Sequence, residues 1–243
     1  MLIFRTQHAG TWQGKTLIFL FLASLCQFVY ALPKGFVYLD EIAPDIIEDI
    51  RYAGHNNFVG SPIPGYLMPR CILTRRAAEK LQRAQADISS RGYRLKVYDC
   101  YRPQMSVDAF NRWSQDDKDT RMKALFYPNE AKNKLFSKGY IARYSGHSRG
   151  STVDITLVKI PQRSKRGATN QHHRSINMGT RFDYFDKSTH VFYPGLNQEQ
   201  LNNRMLLRRL MIKFDFVPYH KEWWHFTLRD EPYPRSYFNF PVQ

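Results

Sequence analysis

The chain has 243 residues, 43% of them hydrophobic and 15% aromatic, which is ample apolar mass for a core and excludes a disordered chain. Thirteen Gly and 13 Pro exclude a collagen-like or low-complexity protein, and three cysteines are too few for a disulfide scaffold. The formal charge of +15 supports electrostatic association but names no partner, and no nucleic-acid motif accompanies it.

Arg5 and Lys15 precede an apolar stretch that runs from Leu17 through Val29. Val29 and Ala31 then supply small residues at the −3 and −1 positions of a cut after Ala31. This pattern reads as a secretory signal peptide over residues 1–31, followed by one catalytic domain over 32–243. A membrane anchor is the alternative, but the run contains Gln27 and falls short of the roughly 20 residues a spanning helix needs. The protein is therefore expected to be exported, to the periplasm, with no stable membrane span. After cleavage two cysteines remain, Cys71 and Cys100. They could bond in an oxidising compartment, or be two small buried residues.

Residues 36–50 read as a short strand and turn. The Gly and Pro of 56–70 mark an irregular loop. Thr74 caps a helix whose inner face is Ala77, Ala78, Leu81, Ala84, Gln85 and Ile88, with Gly92 ending it. Residues 94–99 suggest a strand, and Pro103 opens a helix through Ser106, Ala109, Phe110 and Trp113. Residues 115–138 look polar and irregular. Residues 152–157 alternate as a strand packed on one side, with Asp154 on the other. Residues 159–176 read as an exposed basic loop. Asn197 caps a third long helix with Leu201, Met205, Leu206, Leu210 and Met211 facing in. The last two strands are expected over 214–219 and 223–228. The interleaving predicts an α+β fold with a mostly antiparallel central sheet flanked by helices.

Three segments carry candidate chemistry. In the first, His147 sits in a Gly- and Ser-rich turn that begins at Ser145, and Asp154 follows seven residues later. A turn folding back on the strand could join the two; a surface turn and a solvated Asp is the equal alternative. In the second, His225 lies in an aromatic stretch headed by Glu222. A lone His there is more often packed than ligating. Together His147, Asp154 and His225 make a two-nitrogen, one-oxygen set with a fourth position left for water, the pattern of a catalytic zinc site. Glu222 could reach that water only from a turn, because residues three apart on a regular strand face opposite sides. In the third, Arg102 follows a strand and could face a developing oxyanion, although most arginines simply pair with a carboxylate.

These residues resemble the zinc D-alanyl-D-alanine dipeptidases of the VanX type, in peptidase family M15, whose fold is shared with hedgehog signalling domains. The likeness covers about residues 36–243. It includes Arg51-Tyr52-Ala53, Tyr101-Arg102-Pro103, Ser145 to Ser151 with Asp154, Met178 to Asp183, Glu222-Trp223-Trp224-His225, and the tail from Leu228 to Phe238. The resemblance implies zinc ligands His147, Asp154 and His225, a general base and acid in Glu222, and an oxyanion stabiliser in Arg102. It places Tyr52 and Asp183 near the substrate's free ammonium and Ser145 close to the site. One Zn(II) per chain and a small dipeptide substrate follow from it, and homo-oligomer formation is left open. Gly146 stands where the family often has Ser. The resistance-type relatives act in the cytoplasm, so a signal peptide argues for a role in wall turnover instead. A D,D- or L,D-carboxypeptidase trimming peptidoglycan stems is the alternative, and it should not need to clamp a free amino terminus. A zinc-fold binding module without catalysis would have no need of Glu222.

Overall fold

The computed structural model describes residues 31–160 and 174–243. The expected signal peptide and most of the expected basic loop lie outside the described residues. Leu32–Gln243 forms one compact unit. Among the described residues no helix is long and apolar enough to cross a membrane.

The front of the chain holds more regular structure than the expected short strand and turn. Strand β1 (Phe36–Tyr38) leads into a one-turn helix α1 (Leu39–Ile42) and the two-residue strand β2 (Ile47–Glu48). Strand β3 (Ile72–Thr74) pairs antiparallel with β1 in a small separate sheet. Helix α2 (Arg75–Ser89) starts where Thr74 accepts a hydrogen bond from the Ala77 amide, and its buried residues are the six expected ones. Strand β4 (Tyr93–Asp99) and helix α3 (Gln104–Gln115) come next. Residues 115–138 hold a short helix α4 (Lys123–Phe126) and bury Phe126, Tyr127 and Leu135, so this stretch contributes to the core despite its polar composition. Strand β5 (Thr152–Lys159), helix α5 (Gln198–Lys213) and the hairpin of β6 (Phe216–Pro218) and β7 (His225–Leu228) complete the fold. Asn197 and Gln200 form a reciprocal capping box at the start of α5.

The main sheet has five strands in the order β2-β4-β5-β7-β6. The fold is α+β as expected, but the sheet is mixed, because β2 runs parallel to β4. A parallel pair needs a long crossover, and residues 49–92 supply it. A two-residue strand leaves no alternation from which to read this. The expectation for β5 also needs correcting. It is a central strand, and Thr152 to Val158 are all buried, so neither face is solvated. Val153, Ile155 and Leu157 face the core. Asp154 faces a cavity on the other side, beneath Tyr52, Arg102 and Phe110.

Two sheet details place side chains in that cavity. Asp154 and His225 are direct cross-strand partners on β5 and β7. Between Val97 and Asp99 the register of β4 shifts by one residue, so Asp99 lies opposite Asp154 although Val97 lies opposite Ile155. Such a bulge turns Asp99 onto the sheet face of Asp154, behind Arg102 and His147. Residues 231–243 then wrap the outside. The Phe238 amide donates to the Ser148 carbonyl at 2.8 Å and the Val242 amide to the Gly65 carbonyl at 2.8 Å. Phe238 and Phe240 pack on Phe36, and Phe240 stacks on Tyr101.

Candidate active site

His147 lies on a single 3-10 turn, Gly146–Arg149. Ser145 caps this turn by accepting from the His147 amide at 3.2 Å. Gly150 closes it at φ +78°, and a Cβ there would strike the Phe36 ring at 2.2 Å, so glycine is required. At Gly146 a Cβ would fall 2.7 Å from Thr152 Oγ1; the absence of a side chain makes room for that hydroxyl. His147 Nδ1 is 2.7 Å from the Cys100 carbonyl. A carbonyl can only accept, so the proton sits on Nδ1 and Nε2 is left bare toward the cavity.

Nε2 of His147 stands 3.3 Å from Asp154 Oδ1 and 3.4 Å from His225 Nδ1, and His225 Nδ1 stands 3.0 Å from Asp154 Oδ1. The edges of a tetrahedron with bonds of about 2.0–2.1 Å are about 3.3–3.4 Å, so these three donors match the face of a tetrahedral zinc site. Their chemistry also fits: two neutral imidazoles and one carboxylate, with His147 oriented by a backbone carbonyl behind it. Burial lowers the basicity of His225 despite Asp154 beside it. Burial works against charge on Asp154, yet His147 and His225 hold its carboxyl below the ordinary range.

Glu222 lies in the turn between β6 and β7, not on a strand. Its amide donates to the Tyr219 carbonyl and its carbonyl accepts from the His225 amide. This turn lets a residue three before His225 face the same cavity, with Oε2 3.6 Å from His225 Nδ1. Burial, then the charges of Asp154 and Asp183, raise its carboxyl above the ordinary range.

Arg102 is fixed by Asp99, whose Oδ2 lies 2.9 Å from Nε and 2.8 Å from Nη2, and it also approaches Asp154 Oδ2 at 3.7 Å. Its guanidinium lies over the Tyr52 and Phe110 rings. Asp99 is wholly buried and also accepts from the Tyr66 hydroxyl and faces His147 Nδ1 at 3.3 Å. It thus braces the arginine and a donor histidine at once. The sequence placed Asp99 beside Arg102 but gave no sign of this double role, which depends on the bulge.

At the far side the Tyr52 hydroxyl donates to Asp183 Oδ2 at 2.8 Å. Asp183 adopts φ +58°, an uncommon backbone for a non-glycine residue and one that needs surrounding structure to hold it. Burial, then the charge of Asp154, push its carboxyl up to about 8, so it favours a cationic partner when ionised. All eight residues singled out in the sequence line one cavity of about 200 Å³, which Tyr140, Ile141 and Ala142 also line. That is below the roughly 300 Å³ at which pockets for drug-sized ligands begin. The site also lies beside a disulfide. Cys71 and Cys100 are joined, with Cα atoms 5.4 Å apart, and the carbonyl that orients His147 belongs to Cys100.

A family model described as D-Ala-D-Ala dipeptidase, peptidase M15, matches residues 33–243. The D-alanyl-D-alanine dipeptidase of Enterococcus faecium is 39% identical over 86% of this chain and 98% of its own length. The enzyme of that name from Streptomyces coelicolor is 39% identical over 85% of this chain and 98% of its own. The one from Escherichia coli K12 is 28% identical over 77% and 81%. The family's enzymes are metallopeptidases, and the converging histidines and aspartate give this chain a place to hold the metal. With a match that spans nearly all of the described fold, the chain belongs to the D-Ala-D-Ala dipeptidase family of M15 peptidases, and it is a hydrolase.

Proposed function

We propose that the protein is a zinc-dependent dipeptidase that splits D-alanyl-D-alanine into two D-alanines in the cell envelope. One observation carries the reading: a three-donor metal set, a buried glutamate and a buried Tyr52–Asp183 pair share one cavity of about 200 Å³. His147, Asp154 and His225 hold the metal. Zinc there supplies Lewis acidity toward the scissile carbonyl and a more acidic attacking water. Glu222 takes the water's proton as the new C–O bond forms, then delivers it to the amine as the C–N bond breaks. Arg102, already fixed by Asp99, faces the oxygen on which negative charge grows. Asp183, steadied by Tyr52, faces the substrate ammonium. A longer peptide would bring an uncharged amide to this buried carboxylate, which disfavours it. Ser145 acts through the turn that presents His147.

The direct test compares hydrolysis of D-Ala-D-Ala with that of a pentapeptide stem, with and without chelator. Chelator-sensitive cleavage of the dipeptide alone is expected. Preferential trimming of the stem would replace this reading with a carboxypeptidase.

Export is supported by the apolar leader ahead of the family match and by the Cys71–Cys100 bond, since disulfides persist in oxidising compartments. Recycling or trimming of wall-derived dipeptides is the corresponding role. The exported protein should begin at Leu32 on N-terminal sequencing; an intact Met1 would refute cleavage.

A further inference from the structure

One buried charge has no part in the chemistry above. Arg204 sits midway along α5 on its inward face, and only 1% of it is exposed. Among the described residues it forms no ion pair, and burial alone brings its guanidinium down to about 10. It donates instead to three backbone carbonyls: Nε to Met178 at 2.7 Å, Nη1 to His190 at 2.7 Å and Nη2 to Ser188 at 2.9 Å. Burying a cation against neutral acceptors carries a large desolvation cost. A position that only had to fill space would suit leucine better.

The three carbonyls bracket Asp183 in the chain. Met178 precedes it; Ser188 and His190 follow it. Arg204 therefore draws both ends of one segment together, and the middle of that segment presents Asp183 at its positive φ. The same segment reaches the turn that carries Glu222. Thr189 Oγ1 donates to the Lys221 carbonyl at 2.8 Å, and the Trp223 amide donates to the Thr189 carbonyl at 3.2 Å. Trp223 Nε1 also donates to Thr180 Oγ1 at 2.8 Å. Both chain neighbours of Glu222 are thus fastened to Thr189, and both neighbours of Thr189 are acceptors of Arg204.

We propose that Arg204 is a positioning residue that sets the separation between Asp183 and Glu222. It makes the pocket a ruler for a substrate whose ammonium and scissile carbonyl belong to the same residue, one Cα apart. The idea rests on the dipeptidase reading. Lysine, with a compact ammonium in place of the rigid fork, cannot hold three divergent carbonyls.

The test uses the full zinc-loaded chain with Arg204→Lys, Arg204→Met and Thr189→Val. The Arg204 variants should bind zinc as the wild type does, because the three donors lie on other elements. Their kcat on D-Ala-D-Ala should fall and their KM rise, each on the order of tenfold, since small misplacements of reacting groups are costly. Thr189→Val removes the hydroxyl's bonds to the Lys221 and Asp186 carbonyls and leaves the three acceptors of Arg204 in place, so kcat should fall on the order of tenfold with KM within about twofold. Simple loss of folded protein would lower kcat in every variant and leave KM alone, and that pattern would overturn the proposal. If neither Arg204 variant folds, unchanged kcat in Thr189→Val overturns it equally. A wild type inactive on D-Ala-D-Ala would instead refute the dipeptidase reading. Hydrogen exchange then decides: faster exchange at amides 183–189 and 221–223 in the variants supports the positioning role, and unchanged exchange there refutes it.

Discussion

The two walls of the cavity are built by different means. On the wall proposed to hold the metal, the ligand wall, Asp154 and His225 face each other as cross-strand partners, and a bulge in the next strand sets Asp99 behind them. Sheet register alone fixes their spacing. On the wall proposed to face the substrate ammonium, Tyr52 comes from a single 3-10 turn, Arg51–Ala53, and Asp183 from an irregular segment, held by one hydroxyl–carboxylate bond and by side chains that grip backbone carbonyls. A ladder of paired strands resists small changes at any one residue, whereas a wall held by single bonds is easily retuned. Two of the three proposed metal donors thus sit on the stiffer support, whereas His147, like Asp183, depends on a turn and on single hydrogen bonds.

This contrast can be broken in several ways. The largest effect is expected from His225→Ala, which should lose the metal and essentially all peptidase activity; stoichiometric zinc in that variant, measured by atomic absorption, would disprove the ligand set. Glu222→Ala should keep the zinc and lose about 10²–10⁴ in kcat, the usual worth of a general acid–base. Full activity there would end the proposed mechanism. On the other wall, Asp183→Asn should leave zinc and fold intact and raise KM for D-Ala-D-Ala on the order of tenfold, the loss of one charge-assisted hydrogen bond. It should also narrow the preference over N-acetyl-D-Ala-D-Ala. An unaltered preference would remove Asp183 from amine recognition.

Smaller effects probe the frame behind the ligand wall. Removing the Cys71–Cys100 bond, which closes a loop of 29 residues, should lower stability by about 3–4 kcal/mol in a urea titration. An unmoved midpoint would mean the bridge adds nothing to an already rigid strand end. Glu48 on β2 accepts from the Cys71 amide, and burial pushes its carboxyl from 4.5 up to about 7. Its folded value lies above its unfolded one, so its contribution is fully present below 4.5 and is lost as pH rises through about 7. Glu48→Gln should flatten the stability–pH slope across that window. A slope as steep as the wild type's would assign it to another group.

Much of the ligand wall could be read from the chain. His147, Asp154, Glu222 and His225 stand in short, distinctive segments, and the helical face of α2 follows directly from its period. What escaped reading depends on partners distant in sequence. For Asp154 a solvated edge position and a ligand position weighed equally in the sequence, and the strands on either side reveal a central place. Nothing in the sequence marked Arg204 on α5, where Leu201 and Met205 were expected to face in. Both are only partly buried, while Arg204 and Leu207 take the inner positions, because carbonyls up to 26 residues away await the guanidinium. The bulge at Val97–Asp99 leaves no mark in composition, since one extra residue in a strand changes neither polarity nor length appreciably.

The wrap formed by residues 231–243 bears on the order in which the enzyme comes into being. These residues are made after every side chain of the cavity, yet they hold the turn that carries His147 from behind, through Ser148, and cover the Tyr101 ring next to Arg102. On the ribosome, a chain extended through His225 would own all its chemical groups but lack the support that aims them. Completion of the site thereby waits for residues 231–243, so capture of the proposed metal should follow folding of the whole unit and not of its parts.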